Sequence, residues 1–166
     1  MAFAPPDTQI ANAMNRSDFR EVAMKIEEIL RNKGHDVITI KESRSVLDAA
    51  KALVDHNIGG LVVMEGDRLT GILTERDILR VTARTPTELD TIEVGEVMTT
   101  DLITAAPEDG LAEVMDVMTE KKIRHLPVLE GDRLVGIISI GDLVNACRIE
   151  AEDENSQLRQ YIHGAG

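Results

Sequence analysis

The four residues Thr74-Glu75-Arg76-Asp77 place a hydroxyl, a cation and a carboxylate at the start of a predicted helix. A carboxylate in the first helical turn can accept hydrogen bonds from both hydroxyls of a vicinal diol. The free N–H groups of that turn and the helix dipole favour a phosphate nearby, and Arg76 would add a permanent positive charge for it. Thr-x-x-Asp is also an ordinary N-cap pattern, and from spacing alone the capping role is favoured.

A second version of this motif, Ser139-Ile140-Gly141-Asp142, follows sixty-five residues later. There Gly141 replaces Arg76, so phosphate neutralisation is weaker. The stretches that end in the two motifs, EGDRLTGILTERD and EGDRLVGIISIGD, are nearly the same. A shift of sixty-five places residues 37–80 over residues 102–145 without a gap. The sequence therefore contains a duplicated unit, which indicates that the fold is built from two similar parts.

The sequence pattern of each unit predicts the element order strand, helix, strand, strand, helix. The first strand is VITI or LITA, and the two later strands form a hairpin around Glu-Gly-Asp-Arg. Ser45 and Asp48 form a capping-box pattern at the first helix. The apolar residues expected on one face of that helix are Val46, Ala49, Ala50, Leu53 and Val54, and in the second copy Leu111, Val114, Met115 and Met118. Neither unit can bury both faces of so small a sheet, so we expect an α/β (α+β) fold of two units packed about a pseudo-twofold axis.

The segments outside the repeats complete the predicted domain organisation. Apolar periodicity followed by Gly34 predicts a leading helix, and the acidic run at 150–154 is interpreted as a solvated face. The expected divisions are a disordered segment at 1–18, the leading helix at 19–34, a first motif at 35–81, a linker with a short helix at 82–97, a second motif at 98–146, and a C-terminal helix and tail at 147–166.

Composition excludes several classes of function. The formal net charge of −12 argues against nucleic-acid binding. The single cysteine, Cys147, excludes Cys-based zinc sites and is interpreted as a small, inert apolar side chain. No apolar run approaches the roughly 20 residues of a membrane span, and no signal-peptide core is evident. We therefore expect a cytoplasmic protein without a metal or a membrane partner.

With the repeat laid out, both copies resemble the CBS motif, and the chain is similar to a stand-alone tandem CBS pair, or Bateman module. The resemblance covers about residues 33–145. It rests on the β-α-β-β-α order, on GILTERD and GIISIGD as Gly-h-h-Thr/Ser-x-x-Asp (h, apolar), and on IRHLPV before the second hairpin. The phrases KGHDVITI, VMTEKKIRHLPV and LRQYIHG look like a single-pair branch of bacteria and mitochondria. The family implies a regulatory module that often forms flat homodimers.

The resemblance also implies adenosine-containing ligands in two clefts between the copies: AMP, ADP or ATP, with NAD(H) possible and S-adenosylmethionine less favoured. One cleft would join Thr74, Arg76 and Asp77 to Arg124 and His125. The resemblance favours the ligand role for Asp77 and leaves Asp142 balanced between ligand and cap. The alternative for Arg124 and His125 is an exposed basic pair at a strand start. The other cleft would combine Lys33, Gly59, Gly60, Ser139 and Asp142.

Adenine recognition would fall to the strand openings of the two copies. Backbone groups can bind the adenine edge while aliphatic side chains enclose the ring. The residues expected there are Ile38, Thr39, Met98, Thr99, Ile103 and Thr104, with Leu126 and Pro127 beside them. Ile38 and Ile103 also fit as core residues, and Pro127 also fits as an ordinary strand start.

Catalysis is not expected from this sequence. Its four histidines are scattered, and no nucleophile elbow, Walker A or dinucleotide motif is present. The favoured function is a nucleotide sensor that modulates an unknown partner protein. The alternatives are a protein-interaction scaffold with vestigial clefts, or a redox regulator of a thioredoxin-type partner acting through Cys147.

Overall fold

The computed structural model describes residues 24–163, with the backbone alone from 153 to 163. Over this range no helix is both long and apolar enough to cross a membrane. The elements follow the order α1 (Ile26–Lys33), β1 (Thr39–Ile40), α2 (Val46–His56), β2 (Gly60–Glu65), β3 (Arg68–Thr74), α3 (Glu75–Arg84), α4 (Val94–Val97), α5 (Leu111–Lys121), β4 (His125–Glu130), β5 (Arg133–Ser139) and α6 (Ile140–His163).

Each repeat is built on an antiparallel hairpin, and the two hairpins share the same irregularity. Strands β2 and β3 form one hairpin, and β4 and β5 form the other. The register shifts after Val63 in the first and after Val128 in the second. The connections turn at Gly66 and Gly131, with φ values of 60° and 62°, which side chains disfavour. The repeated Glu-Gly-Asp-Arg is therefore a turn that the fold needs twice.

The opening strand differs between the two repeats. In the first, the predicted strand VITI is present as the two-residue β1, which pairs in parallel with β2. In the second, the predicted strand LITA is reduced to a single bridge between Ala105 and Val128. The Asp109 carboxylate accepts a hydrogen bond from the Ala106 N–H at 2.8 Å, and Pro107 follows. This turn ends the pairing after Ala105. Before Ala105, the facing strand carries Pro127, which has no N–H to donate to the opening segment.

The helix starts agree with the capping patterns, but the buried face of α2 is narrower than predicted. Ser45 accepts a hydrogen bond from the Asp48 N–H at 3.1 Å, and α2 begins at the next residue. The buried residues of α2 are Val46, Ala49 and Leu53. Val54 was expected beside them and is 78% exposed. Each residue turns the helix by about 100°, which carries Val54 past the buried stripe.

The two repeats exchange the helices that precede them. Helix α1, which precedes the first repeat, buries Ile26, Ile29 and Leu30 in the core of the second. Helix α4, which precedes the second repeat, buries Val94 in the core of the first. A main-chain bridge between Lys25 and Gly110 joins the start of α1 to the second repeat, and one between Ser45 and Glu93 joins the start of α4 to the first. Each unit therefore needs a segment of the other to complete its core.

The predicted fold class is confirmed: a mixed α/β architecture with two small sheets, each part of a similar unit. Helix α3 runs three residues into the predicted linker, to Arg84. Helix α6 continues unbroken from the second hairpin to His163. The disordered segment predicted at 1–18 and the first turns of the predicted helix at 19–34 lie outside the described residues.

Candidate functional site

The starts of β2 and β4 face each other across the boundary between the repeats. A Cβ atom on Gly59 would lie 2.9 Å from Cε1 of His125, and one on Gly60 would lie 3.0 Å from Cγ of the same ring. The first distance is shorter than real Cβ contacts and the second is tighter than most of them, so a side chain at either position would displace the ring. The repeat shift aligns Arg124 and His125 with these glycines. The imidazole of one repeat therefore fills the space that the other leaves open.

Burial sets the protonation of His125. Desolvation lowers the pKa of His125 below its ordinary value of 6.5, and the Glu75 carboxylate opposes this shift. Lys33 and Arg124 add to the lowering, while Asp142 acts in the same direction as Glu75. The neutral imidazole is thus the favoured form in the folded chain at neutral pH.

We expect the free energy of unfolding to depend on pH through His125. Because the folded pKa is lowered, the unfolded chain binds the proton more readily. The contribution is complete above the unfolded pKa of 6.5 and is lost as the pH falls through 6.5 towards the folded pKa. Urea denaturation between about pH 5.5 and 8 measures this slope. The His125→Gln variant supplies the slope of all other groups, and an identical slope in both proteins would contradict the assignment.

Thr74 and Asp77 form the start of α3. One carboxylate oxygen of Asp77 accepts hydrogen bonds from the Thr74 N–H at 3.0 Å and the Thr74 hydroxyl at 2.6 Å. The other accepts from the Arg80 guanidinium at 3.1 Å. The Asp77 side chain is 12% exposed. Asp77 therefore caps α3 in the structure. Its carboxylate can still accept a further hydrogen bond, because an ionised carboxylate offers about four lone-pair sites.

A cavity of about 330 Å³ joins this helix start to the second repeat. We call it the Asp77 cleft. From the first repeat it is lined by Gly59, Ile72, Thr74, Glu75, Arg76, Asp77 and Arg80, and from the second by Thr99, Lys121, Lys122, Ile123, Arg124 and His125. The five residues predicted for the first cleft thus line one cavity. Arg76 also donates to the Lys122 carbonyl at 3.5 Å across the boundary.

Sequence reasoning missed three cations of the Asp77 cleft. Arg80 lies one turn after Arg76 on α3, and the i, i+4 spacing was the signal that could have found it. Lys121 and Lys122 end α5 just before Arg124, where the helix stops in a left-handed residue. With Arg76 and Arg124 they make five cationic residues around one carboxylate pair, Glu75 and Asp77.

A larger cavity, of about 720 Å³, opens beside the Asp77 cleft. It shares Gly59, Glu75, Arg124 and His125 with that cleft and adds Ser139 and Gly141 from the second repeat. Its remaining walls are the faces of α2 and α3 and the start of α6, and we call it the α2–α3 cavity. Its apolar lining residues are Ala50, Leu53, Val54, Ile58, Ile78, Leu79 and Ile140.

The residues predicted for the second cleft do not line one cavity. Gly59 and Ser139 line the α2–α3 cavity, while Gly60 is covered by the His125 ring. Lys33 and Asp142 line a separate cavity of about 230 Å³, where they form an ion pair at 2.5 Å. Burial raises the pKa of Asp142, but hydrogen bonds from Lys33 and Ser139 outweigh burial and hold that pKa below its ordinary value.

Among the residues predicted to bind adenine, Thr99 lines one of the cavities described above, the Asp77 cleft. Its N–H and C=O both pair with Ile72, at 2.9 and 3.0 Å. Ile38 packs on the first core and Ile103 on the second, as their alternative core role predicts. Met98, for which only the adenine role was predicted, also packs on the first core. Leu126 is 1% exposed. The remaining predicted positions are exposed at Thr39 and Thr104 and buried at Pro127.

Comparison with known proteins places this geometry in a family. The CBS domain family matches residues 26–84 and 94–149. The mitochondrial CBS domain-containing protein CBSX3 of Arabidopsis thaliana is 35% identical over 160 residues, which cover 91% of this chain and 77% of that protein.

Two solved structures are similar to this chain in fold. A CBS-domain containing protein from Agrobacterium tumefaciens has a TM-score of 0.72 at 36% identity, over 74% of this chain and 98% of its own. The CBS domain pair of protein MJ0100, solved in complex with methylthioadenosine and S-adenosyl-L-methionine, has a TM-score of 0.67 at 28% identity, over 75% and 95% of the two chains. With its two matched segments and exchanged helices, this chain belongs to the CBS domain family and carries one CBS pair.

Proposed function

We propose that the chain is a regulatory module that binds an adenine nucleotide in the Asp77 cleft and alters the behaviour of a partner protein. The observation that carries the proposal is the charge of this cleft. Five cationic residues surround it in a chain whose formal net charge is −12. A cavity above about 300 Å³ is of the size that small ligands occupy. Such a concentration of cations in an acidic protein favours an anionic ligand.

The groups of the Asp77 cleft match the parts of a nucleotide. Asp77 accepts the ribose hydroxyls with its remaining lone pairs. Arg76, Arg80 and Arg124 neutralise the phosphate, and arginine suits this role because its fork donates two parallel hydrogen bonds. His125 borders the same space. A bound phosphate raises the pKa of that imidazole, since a nearby negative charge favours the protonated form.

The comparisons support the adenosine class of ligand without selecting one compound. The related pair of protein MJ0100 was solved with methylthioadenosine and S-adenosyl-L-methionine. The cationic Asp77 cleft favours AMP, ADP or ATP over the positively charged sulfonium of S-adenosylmethionine. NAD(H) fits by charge because it carries a pyrophosphate. The cytoplasmic location expected for this chain stays a prediction.

Isothermal titration of the full chain with AMP, ATP, NADH and S-adenosylmethionine tests the proposal. We expect saturable binding of a phosphate-bearing compound. At a hundredfold excess over Kd, one site stabilises the fold by about 2.7 kcal/mol, which a thermal melt detects independently. If none of the four compounds binds or shifts Tm, the nucleotide proposal is wrong.

The environment of Cys147 disfavours the redox alternative. Cys147 is 3% exposed and belongs to the core of the second repeat. Burial raises the pKa of its thiol, and Glu150 adds to that shift. The thiolate is the reactive form of cysteine, so a buried thiol with a raised pKa is inert. The interaction scaffold thus stands as the alternative to the nucleotide sensor.

We also propose that two copies associate through the helix faces around the α2–α3 cavity. Val54 is 78% exposed and Leu79 is 68% exposed, and both line this cavity. The exposed apolar residues of α6, Val144 and Ile149, do not line this cavity. Apolar side chains gathered on neighbouring helices are typical of association surfaces. In a twofold dimer the same surface of each copy faces its counterpart, so these apolar side chains would pack against those of a second copy.

Light scattering of the full chain tests this association. We expect the mass of two chains, falling to that of one chain in Leu79→Asp, because an acidic side chain at an apolar contact loses its hydration without a partner. Lys51→Asp is the control, since Lys51 is exposed on α2 and does not line the cavity. A single-chain mass for the unsubstituted protein, or equal loss in both variants, would contradict the proposal.

A further inference from the structure

We propose that Lys122 is a phosphate-binding residue of the Asp77 cleft, and that the chain keeps a lysine there although the backbone conformation at this position disfavours it. This inference rests on the proposed function of the Asp77 cleft and names a residue that sets its preference for phosphate-bearing ligands. The repeat equivalent of Lys122, Asn57, shows the same position without that role. Replacement of Lys122 by asparagine should therefore weaken nucleotide binding without destabilising the fold.

Lys122 and Asn57 share an uncommon backbone conformation. Lys122 has φ of 55° and ψ of 38°, and Asn57 has φ of 51° and ψ of 48°. In the part of the chain that the structure describes, they are the two residues other than glycine with positive φ. The shift of sixty-five residues pairs them. Helices α5 and α2 thus end in the same left-handed turn.

The hydrogen bonds of this turn are made by the main chain. The Ile58 N–H donates to the Leu53 carbonyl at 3.0 Å, and the Ile123 N–H donates to the Met118 carbonyl at 3.0 Å. This pattern is a Schellman helix end, where glycine is the usual left-handed residue and asparagine the next choice. Asparagine is tolerated because its short polar side chain can hydrogen-bond locally, which the long lysine side chain does not do. The turn requires the conformation and not a lysine.

The helix dipole gives no sufficient reason for Lys122. A cation near the C-terminus of a helix is favoured by the dipole. However, α5 already carries Lys121 in its last turn, and α2 reaches the same helix end with Asn57. A second cation, placed at the one position of this helix end that disfavours it, indicates a role outside the helix.

The surroundings of the two residues differ in charge together. Lys122 lines the Asp77 cleft with Arg76. Asn57 lines the α2–α3 cavity with Gly141, which is the repeat equivalent of Arg76. Lysine and arginine therefore occur together around one cavity, and asparagine and glycine occur together around the other. Such a joint change is what an anionic ligand of the Asp77 cleft requires.

Lys122 and Arg76 are neighbours across the boundary between the repeats. The Arg76 guanidinium donates to the Lys122 carbonyl at 3.5 Å. Among the side chains that the structure describes, neither residue takes part in an ion pair. Both are exposed and can turn towards a ligand. A phosphate that contacts both removes the repulsion between two like charges and accepts charge-assisted hydrogen bonds from each.

The affinity of the full chain for AMP, measured by isothermal titration, tests the inference. Lys122→Asn should bind AMP about tenfold more weakly. Lys122→Arg should recover most of that loss, because it keeps the charge. Lys51→Asn is the matched control, since Lys51 is exposed on α2 and lines neither cavity. It should bind AMP as the unsubstituted chain does.

Thermal melts without ligand supply a second readout. Lys122→Asn and Lys121→Gln each remove one positive charge from the end of α5, and glutamine is about as good a helix former as lysine. The first substitution alone also relieves a disfavoured conformation. We therefore expect a higher Tm for Lys122→Asn than for Lys121→Gln. A lower Tm would show that the turn itself needs the lysine and would overturn the inference.

The outcomes separate this inference from the proposed function. Unchanged AMP affinity in Lys122→Asn overturns the inference and leaves the Asp77 cleft intact. Equal weakening in Lys51→Asn and Lys122→Asn also overturns it, because the effect then does not depend on the position of the charge. The same holds if Lys122→Arg binds as weakly as Lys122→Asn. No AMP binding by the unsubstituted chain contradicts the proposed function itself and the inference with it.

Discussion

Replacement of Asp77 by asparagine should weaken AMP binding by about tenfold to a hundredfold. Hydrogen bonds to a charged group contribute about 1.5–3 kcal/mol, and about 1.4 kcal/mol changes Kd tenfold. Asparagine keeps the size of the side chain but replaces one carboxylate oxygen with a donor, which cannot accept from a ribose hydroxyl. Isothermal titration of the full chain with AMP measures the change in Kd.

The control for Asp77→Asn must lose a helix cap without touching the cleft. Ser45→Ala does this, because Ser45 accepts the cap hydrogen bond of α2 at 3.1 Å and does not line the Asp77 cleft. The loss of such a cap costs about 1 kcal/mol of stability. We expect Ser45→Ala to lower Tm and to keep AMP affinity. Equal affinities in Asp77→Asn and the unsubstituted chain would show that Asp77 is only a cap.

Truncation of Leu30 to alanine should lower the free energy of unfolding by about 2–5 kcal/mol. Leu30 is 1% exposed, and its methyl groups fill the space above Gly136, where a Cβ atom would lie 2.6 Å from one of them. The truncation therefore opens a void in the second repeat, although the residue precedes the first. Urea denaturation followed by circular dichroism measures the loss.

Arg31→Ala on the same helix is the matched control for Leu30→Ala. Arg31 is exposed, and a surface substitution of this kind changes stability by less than about 0.5 kcal/mol. The difference between the two variants isolates the buried contact of α1 from its helix propensity. If Leu30→Ala unfolds like Arg31→Ala, α1 is not part of the core of the second repeat.

Much of this architecture could be read from local patterns. The duplicated EGDRL turn, the capping residues Ser45 and Thr74, and the apolar spacing of the helices each depend on residues a few positions apart. The prediction of a CBS pair is confirmed by the family match. The grouping of Asp77 with Arg124 and His125 followed from the resemblance, and the ligand roles of these residues stay predictions.

Predictions from local sequence patterns were wrong where contacts with a distant segment determine the structure. LITA has the composition of a strand, but the strand that faces it carries Pro127, which has no N–H to donate, and only Ala105 forms a bridge. Val54 continues an apolar run, and its exposure depends on what packs against α2. The cations Lys121 and Lys122 were not predicted as site residues, and they reach the Asp77 cleft because α5 ends there.

The sequence by itself determined the repeat, the order of its elements and the difference between TERD and SIGD. These are properties of residues near one another in the chain, and their periodicity and turn chemistry act locally. Only the tertiary structure decided that α1 and α4 exchange partners, that His125 covers Gly59 and Gly60, and that Lys33 pairs with Asp142. Those contacts join residues tens of positions apart, and packing of the two repeats against each other creates them.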